Sequence, residues 1–188
     1  GIQLVKDGAD VLDIGGESTR PESDAVTTSQ ELERVIPVIR ELRDKKINIP
    51  ISIDTNKSEV AKIAIESGAN IVNDVSGLTM DKKMVEVVAS KNVPVVIMHM
   101  KGLPKTMQRK PLYDNIIVEI YNFLKSQANF AINNGVKSKN IILDPGIGFG
   151  KTVNDNYELL AKLKEFTKMN FPILIGTSRK SFIGEILK

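Results

Sequence analysis

The sequence predicts an α/β fold of the (β/α)8 TIM-barrel type, carried here by about six strand-helix units. Short apolar, β-rich runs alternate with segments of helical apolar spacing through all 188 residues, the pattern of a parallel sheet. Nearly every run also ends in polar groups: Asp13, Asp54, Asn73, His99, Asp144 and the turn from Gly176 to Lys180. An open doubly wound sheet concentrates ligand groups where strand order reverses, whereas a barrel uses the carboxyl ends of most strands. A full barrel has eight strands and about 250 residues. A first strand before Gly1 and an eighth after Lys188 are therefore expected to be missing, with residues 1–188 a single domain truncated at both ends. Six strands cannot close, so two unpaired edges and marginal stability are expected of these residues alone.

The opening residues Ile2, Leu4 and Val5 have helical spacing and Gly8 is a stop. Val11 to Ile14 is the first apolar run; it delivers Asp13, and Gly15-Gly16 then turns the backbone into Glu17-Ser-Thr-Arg20. Thr28-Ser-Gln-Glu31 caps a helix with Leu32, Val35, Ile36, Ile39 and Leu42 on one face. Pro50 to Thr55 is the second strand, Lys57 to Glu66 a helix closed by Gly68, and Asn70 to Ser76 the third strand. A helix over Asp81 to Lys91 precedes Pro94 to Met100, apolar enough for a strand buried on both sides. An irregular stretch from Lys101 to Leu112 leads to a helix from about Asp114 to Asn134, ended by Gly135. Asn140 to Asp144 is the fifth strand, Tyr157 to Phe166 a helix, Pro172 to Gly176 the sixth strand, and Thr177 to Ser181 leads into a last helix.

Composition narrows the function classes. With 41% hydrophobic and 26% charged residues the chain suits a globular core. No apolar run approaches the roughly 20 residues of a membrane span, and the start lacks a signal-peptide layout, so a cytoplasmic setting is expected. The absence of cysteine excludes thiolate metal sites and disulfides, and a single histidine, His99, argues against an ordinary zinc site. The net charge of +3 comes from scattered lysines and aromatics make up 5%, which points away from nucleic acid and toward small anionic substrates.

Asp54, Asn73 and Asp144 each end an apolar strand. Together they would set acceptors and an amide at the floor of one pocket, suited to a flat heterocycle with ring N–H and amino groups; the alternative is that they cap the following helices. Gly146-Ile-Gly-Phe-Gly-Lys-Thr152 misses both the phosphate-loop and the dinucleotide patterns by one position. It leaves a close-approach loop whose Phe149 either covers a bound ring or anchors the loop. Gly176-Thr-Ser-Arg-Lys-Ser181 follows what would be the seventh barrel strand, where phosphate sites are common; Lys180 is the cation facing the site and Arg179 the solvated one. Ser18-Thr19-Arg20 is a second anion-ready loop. His99, between Met98 and Met100, reads as a packed histidine rather than a ligand.

With these residues assembled, the chain resembles dihydropteroate synthase. The matching stretches are Asp13-Ile-Gly-Gly-Glu-Ser-Thr-Arg-Pro21, Ile53-Asp-Thr55, Asn73-Asp-Val-Ser-Gly77, Met98-His-Met100, Asp144-Pro-Gly-Ile-Gly-Phe-Gly-Lys151 and Ser178-Arg-Lys-Ser181, in order across the whole chain. The resemblance implies a TIM barrel that joins para-aminobenzoate to hydroxymethyl-dihydropterin pyrophosphate, releasing pyrophosphate in folate biosynthesis. It further implies Mg2+ as cofactor, a homodimer, and sulfonamides as competitors of aminobenzoate. Carried over, the pterin pocket falls on Asp54, Asn73, Val75, Met98, Asp144, Gly176 and Lys180, with Asp54, Asp144 and Lys180 closest to the chemistry. Thr19, Arg20 and Pro21 match a loop for pyrophosphate and aminobenzoate, and Phe149 and Ser181 match the aminobenzoate wall. Glu22 departs from the glycine usual after Arg-Pro. No metal ligand is assigned within the chain; the family's is expected upstream of Gly1. Without both ends, residues 1–188 alone are expected to be inactive.

Two alternatives stand beside this reading. A methyltetrahydrofolate-corrinoid methyltransferase shares the pterin floor but has no use for the Gly-Gly-Glu-Ser-Thr-Arg-Pro loop, and a non-catalytic pterin-binding paralogue would bind without turnover.

Overall fold

The structure, a computed structural model, describes residues 1–18, 24–102, 107 and 111–186. Five parallel strands, β1 (Leu12–Gly15), β2 (Ile51–Asp54), β3 (Ile71–Asp74), β4 (Val95–Met98) and β5 (Ile141–Asp144), form one sheet in the order β1-β2-β3-β4-β5. The sequential order contains no reversal, which is barrel topology and not the doubly wound kind.

A short α1 (Ile2–Lys6) precedes β1, and the crossovers are α2 (Thr28–Asp44), α3 (Ser58–Glu66), α4 (Met84–Lys91) and α5 (Ile116–Asn133). After β5 come α6 (Val153–Ala161), α7 (Lys164–Thr167) and α8 (Ser181–Ile186). On α2 Val35, Ile36, Ile39 and Leu42 of the apolar stripe read from the sequence are buried, and α5 buries Ile116, Ile120 and Leu124. Each such side chain, fully buried, contributes roughly 1.5–3 kcal/mol.

Several boundaries differ from expectation for local reasons. The α2 cap is Thr27, whose hydroxyl accepts from Gln30 N in a reciprocal capping box, one residue before the predicted motif. The helix after β5 starts at Val153 because Thr152 and Asp155 form a second capping box. The predicted sixth strand at Pro172 to Gly176 reduces to a single parallel bridge, Leu143 to Ile173. Leu143 N donates to Pro172 O at 2.9 Å and Leu174 N to Leu143 O at 2.9 Å, after which the segment leaves the sheet. Among the described residues it has a pairing partner on one side only, so nothing extends the ladder.

The two sides of the sheet differ sharply. Leu12, Ile51, Ile53, Val72, Val95, Ile97, Ile141 and Leu143 belong to the continuous apolar core shared with the helices. The alternate positions carry the polar tips, and the buried Val75, Val96 and Met98 stand outside that core.

Candidate functional site

Strand register brings the polar tips together. Gly15 pairs with Asp54, Asp54 with Asn73 and Asn73 with Val96; Met98 pairs with Asp144. Paired positions in a parallel sheet share a face, as do alternate residues along one strand. Asp13, Asp54, Asn73, Met98 and Asp144 therefore share the face opposite the helices. The expected convergence of Asp54, Asn73 and Asp144 is thus a consequence of register.

Asp54 is the electrostatic centre of this face. Its Oδ1 is buried and has no hydrogen-bond partner among the described residues. Burial, reinforced by the nearby carboxylates of Asp13, Glu31, Asp74 and Glu17, pushes its pKa up to about 8. Asn73 Nδ2 donates to Asp13 Oδ2 at 3.1 Å, leaving the Asn73 oxygen as an acceptor on the same face. The Asp13 carboxyl is raised by burial, against the hydrogen bonds it receives from Ser52 and Asn73.

Asp144 sits across the face, held by its own loop. Gly146 N donates to Asp144 Oδ1 at 2.6 Å, and His99 N donates to Asp144 O at 2.9 Å. Burial raises the Asp144 pKa to about 6; the Gly146 bond, Lys151 and Lys180 act in the other direction. The loop fits only because residue 146 is glycine: its φ is +71°, and a Cβ there would lie 1.9 Å from His99 O. Lys180 Nζ lies 4.2 Å above the Phe149 ring, which joins two of the expected site residues by a cation-π contact. Burial lowers the Lys180 pKa, while Asp144 opposes the change.

Other expected residues are placed less decisively. Val75 and Met98 are buried outside the main core, Met98 on the site face. Gly176 is exposed, and a Cβ on it would meet nothing within 4 Å, so it faces open space and does not line a closed wall. Ser181 is exposed at the start of α8, and Arg179 is exposed as read. Thr19, Arg20, Pro21 and Glu22 lie outside the described residues. His99 is a packed histidine: it is 7% exposed, edge-on to Phe123 at 5.0 Å, with burial lowering its pKa to about 3.

Two polar clusters escaped the sequence reading. Lys57 donates to Glu31 Oε2 at 2.6 Å and also to Glu17 Oε2, and Glu17 Oε1 accepts from Val26 N at 3.0 Å. This ties the base of the β1-α2 connection to the start of α3. Lys151 is buried behind Asp144 and bonded to His99 and Phe149. Both lysines follow strand-end loops, and neither sequence neighbourhood signals burial.

Among the described residues, no group of three or more His, Asp or Glu side chains is placed to hold a metal ion. No helix among the described residues is long and apolar enough to cross a membrane.

Consecutive parallel strands whose polar tips share one face make this part of a (β/α) barrel. The comparisons with known proteins agree. The chain belongs to the pterin binding enzyme family, whose model matches residues 1–188. It is 47% identical over 184 residues to the dihydropteroate synthase of Synechocystis sp., covering 98% of this chain and 63% of that protein. Of solved structures, the Yersinia pestis dihydropteroate synthase with a sulfonamide drug complex superposes with a TM-score of 0.95 at 38% identity, covering 99% of this chain and 67% of that one. The Xanthomonas albilineans dihydropteroate synthase with 4-aminobenzoic acid gives 0.93 at 43% identity, covering 100% and 66%. The chain thus has the fold of that part of the dihydropteroate synthase barrel and spans a little under two thirds of its Synechocystis relative.

Proposed function

We propose that the protein to which these residues belong is a cytoplasmic dihydropteroate synthase, joining para-aminobenzoate to hydroxymethyl-dihydropterin pyrophosphate with release of pyrophosphate. The observation that carries this reading is the buried, unpartnered Oδ1 of Asp54, in register with Asn73 and on the same face as Asp144. A buried acceptor without a donor costs about 1–3 kcal/mol, and a pterin's ring N–H and amino groups supply donors of the right kind.

In the reaction the C–O bond to pyrophosphate breaks, the pterin methylene carries cationic character, and the arylamine nitrogen forms the new C–N bond and loses a proton. The carboxylate of Asp144, ionised above about pH 6, accepts from the ring and steadies the developing positive charge. Asp54 and Asn73 fix the ring's orientation, and Met98 with Val75 supplies the apolar floor. Lys180 belongs to the pterin pocket, and the Phe149 ring beneath its ammonium begins the aminobenzoate side, with Ser181 and Thr19, Arg20 and Pro21 as further contacts. Positioning, not a protein nucleophile, carries the rate enhancement. A homodimer and sulfonamide competition for the aminobenzoate position complete the proposal.

The names of the relatives favour this reading over the corrinoid methyltransferase. Calorimetry on the complete protein with pterin pyrophosphate, followed by aminobenzoate, tests it. Binding followed by dihydropteroate formation is expected; binding without turnover would favour a non-catalytic pterin-binding paralogue, and no binding would sink both.

A further inference from the structure

Lys151 is buried, and among the described residues no carboxylate pairs with it. It is 3% exposed, and its ammonium meets His99 Nδ1 at 3.1 Å, Phe149 O at 2.9 Å and His99 O at 3.4 Å. Three N–H donors thus meet three neutral acceptors, and the described residues place no carboxylate in ion-pair contact. Withdrawing an ammonium from water without pairing it costs several kcal/mol. A neutral donor would tie the same carbonyls together without that cost, so the charge itself needs an explanation.

Asp144 supplies one. The backbone between the two residues is thinned at Gly146, where an added Cβ would lie 3.3 Å from Lys151 Nζ. Asp144 and Lys151 each feel the other's charge, and Lys151 favours the ionised carboxylate. Resting on the pterin-binding reading above, we propose that Lys151 is a positioning residue of the cup: its three hydrogen bonds hold the 145–150 loop and His99 around the Asp144 carboxylate, and its buried charge joins the Gly146 N–H in favouring that carboxylate's ionised form.

The charged and titratable groups around this pair set the pH window. Asp144 and Asp155 favour the charged lysine; Lys101 and Lys180 oppose it; burial dominates and lowers its pKa to about 7. His99 stays neutral, and Tyr113 is held protonated well above the range by burial. Asp144 is ionised above about pH 6 and Lys151 charged below about pH 7, so the lysine's influence is strongest near pH 6 and fades above pH 7.

The test reads binding of 6-hydroxymethylpterin, which lacks the pyrophosphate anion, to the complete protein by calorimetry from pH 5 to 9. In the parent, affinity is expected to rise in two steps, near the pKa values of Asp144 and Asp54. In K151Q, which keeps a donor but no charge, the lower step should move up by about one pH unit, with affinity near pH 6 falling about fivefold. The two curves should converge above pH 8, and K151R should keep the parent's lower step. K151M gives a second neutral side chain on which the same profile is read should K151Q not fold. A neutral variant whose profile superimposes on the parent's, or loses the same factor at every pH, would overturn the proposal. Absence of pterin binding by the parent at every pH would instead overturn the functional reading, and this inference with it.

Discussion

Asp54 and Asp74 end adjacent strands and are both enclosed, yet they behave as opposites. Asp74 is fully buried on the helix side, and both its oxygens are used: Oδ1 accepts from Ser76 N at 2.8 Å and Ser76 Oγ at 2.7 Å, and Oδ2 from Leu78 N at 3.0 Å. It holds the turn after β3. Asp54, one register position away on the opposite face, leaves Oδ1 without a partner. Burial alone therefore does not mark a site. Unused hydrogen-bonding capacity on the face away from the core does, because a fold that needed the carboxylate only for structure would have satisfied it.

Glu31 tests that rule hardest. Its Oε1 is the other buried atom without a partner among the described residues, but its Oε2 is paired with Lys57 at 2.6 Å. Lys57→Met is expected to leave Glu31 buried and unpaired, at a loss of about 3–5 kcal/mol in urea unfolding. A loss of pterin affinity without loss of stability would move Glu31 to the Asp54 class and blur the distinction. Next in size, Asp54→Asn should weaken pterin binding about a hundredfold, or about 3 kcal/mol, with little loss of stability. Unchanged affinity by calorimetry would break the contrast outright. Asp74→Asn should do the reverse: about 2 kcal/mol less stable, because its new amide donors face the N–H groups the carboxylate served, with near-parental affinity once folded.

A further contrast lies in pH dependence. The folded-state pKa of Asp54, about 8, lies above its ordinary value of 3.8, so between those values the folded protein holds a proton that the unfolded chain has released. Its contribution to stability is present below about pH 4 and is lost as pH rises toward 8. The Asp54→Asn variant should gain stability relative to the parent across that window, measured by urea unfolding at several pH values. A parallel pair of curves would show that Asp54 is not perturbed.

The strand-helix alternation was legible because side-chain patterning is local: short apolar runs for the strands, a spacing of about 3.6 for α2. So were the strand tips Asp54, Asn73 and Asp144, since each closes an apolar run. The predicted sixth strand was not resolvable in this way. Pro172 to Gly176 has the composition of a strand, but a strand needs a partner on which to extend its ladder, and only Ile173 pairs. Gly176 likewise matched a motif, while its exposure depends on what surrounds it. Lys57 and Lys151 were missed because nothing beside a lysine in sequence records that its ammonium will be enclosed.

By itself the sequence determined which residues alternate, where the chain turns, and which polar groups end each strand. Only the tertiary structure decided that Asp54 faces an open valence while Asp74 is satisfied, and that Lys151 is buried against His99, 52 positions away. The reason is physical: periodicity fixes which residues share a face, but the solvation and partners of a polar atom depend on segments that meet it only after folding.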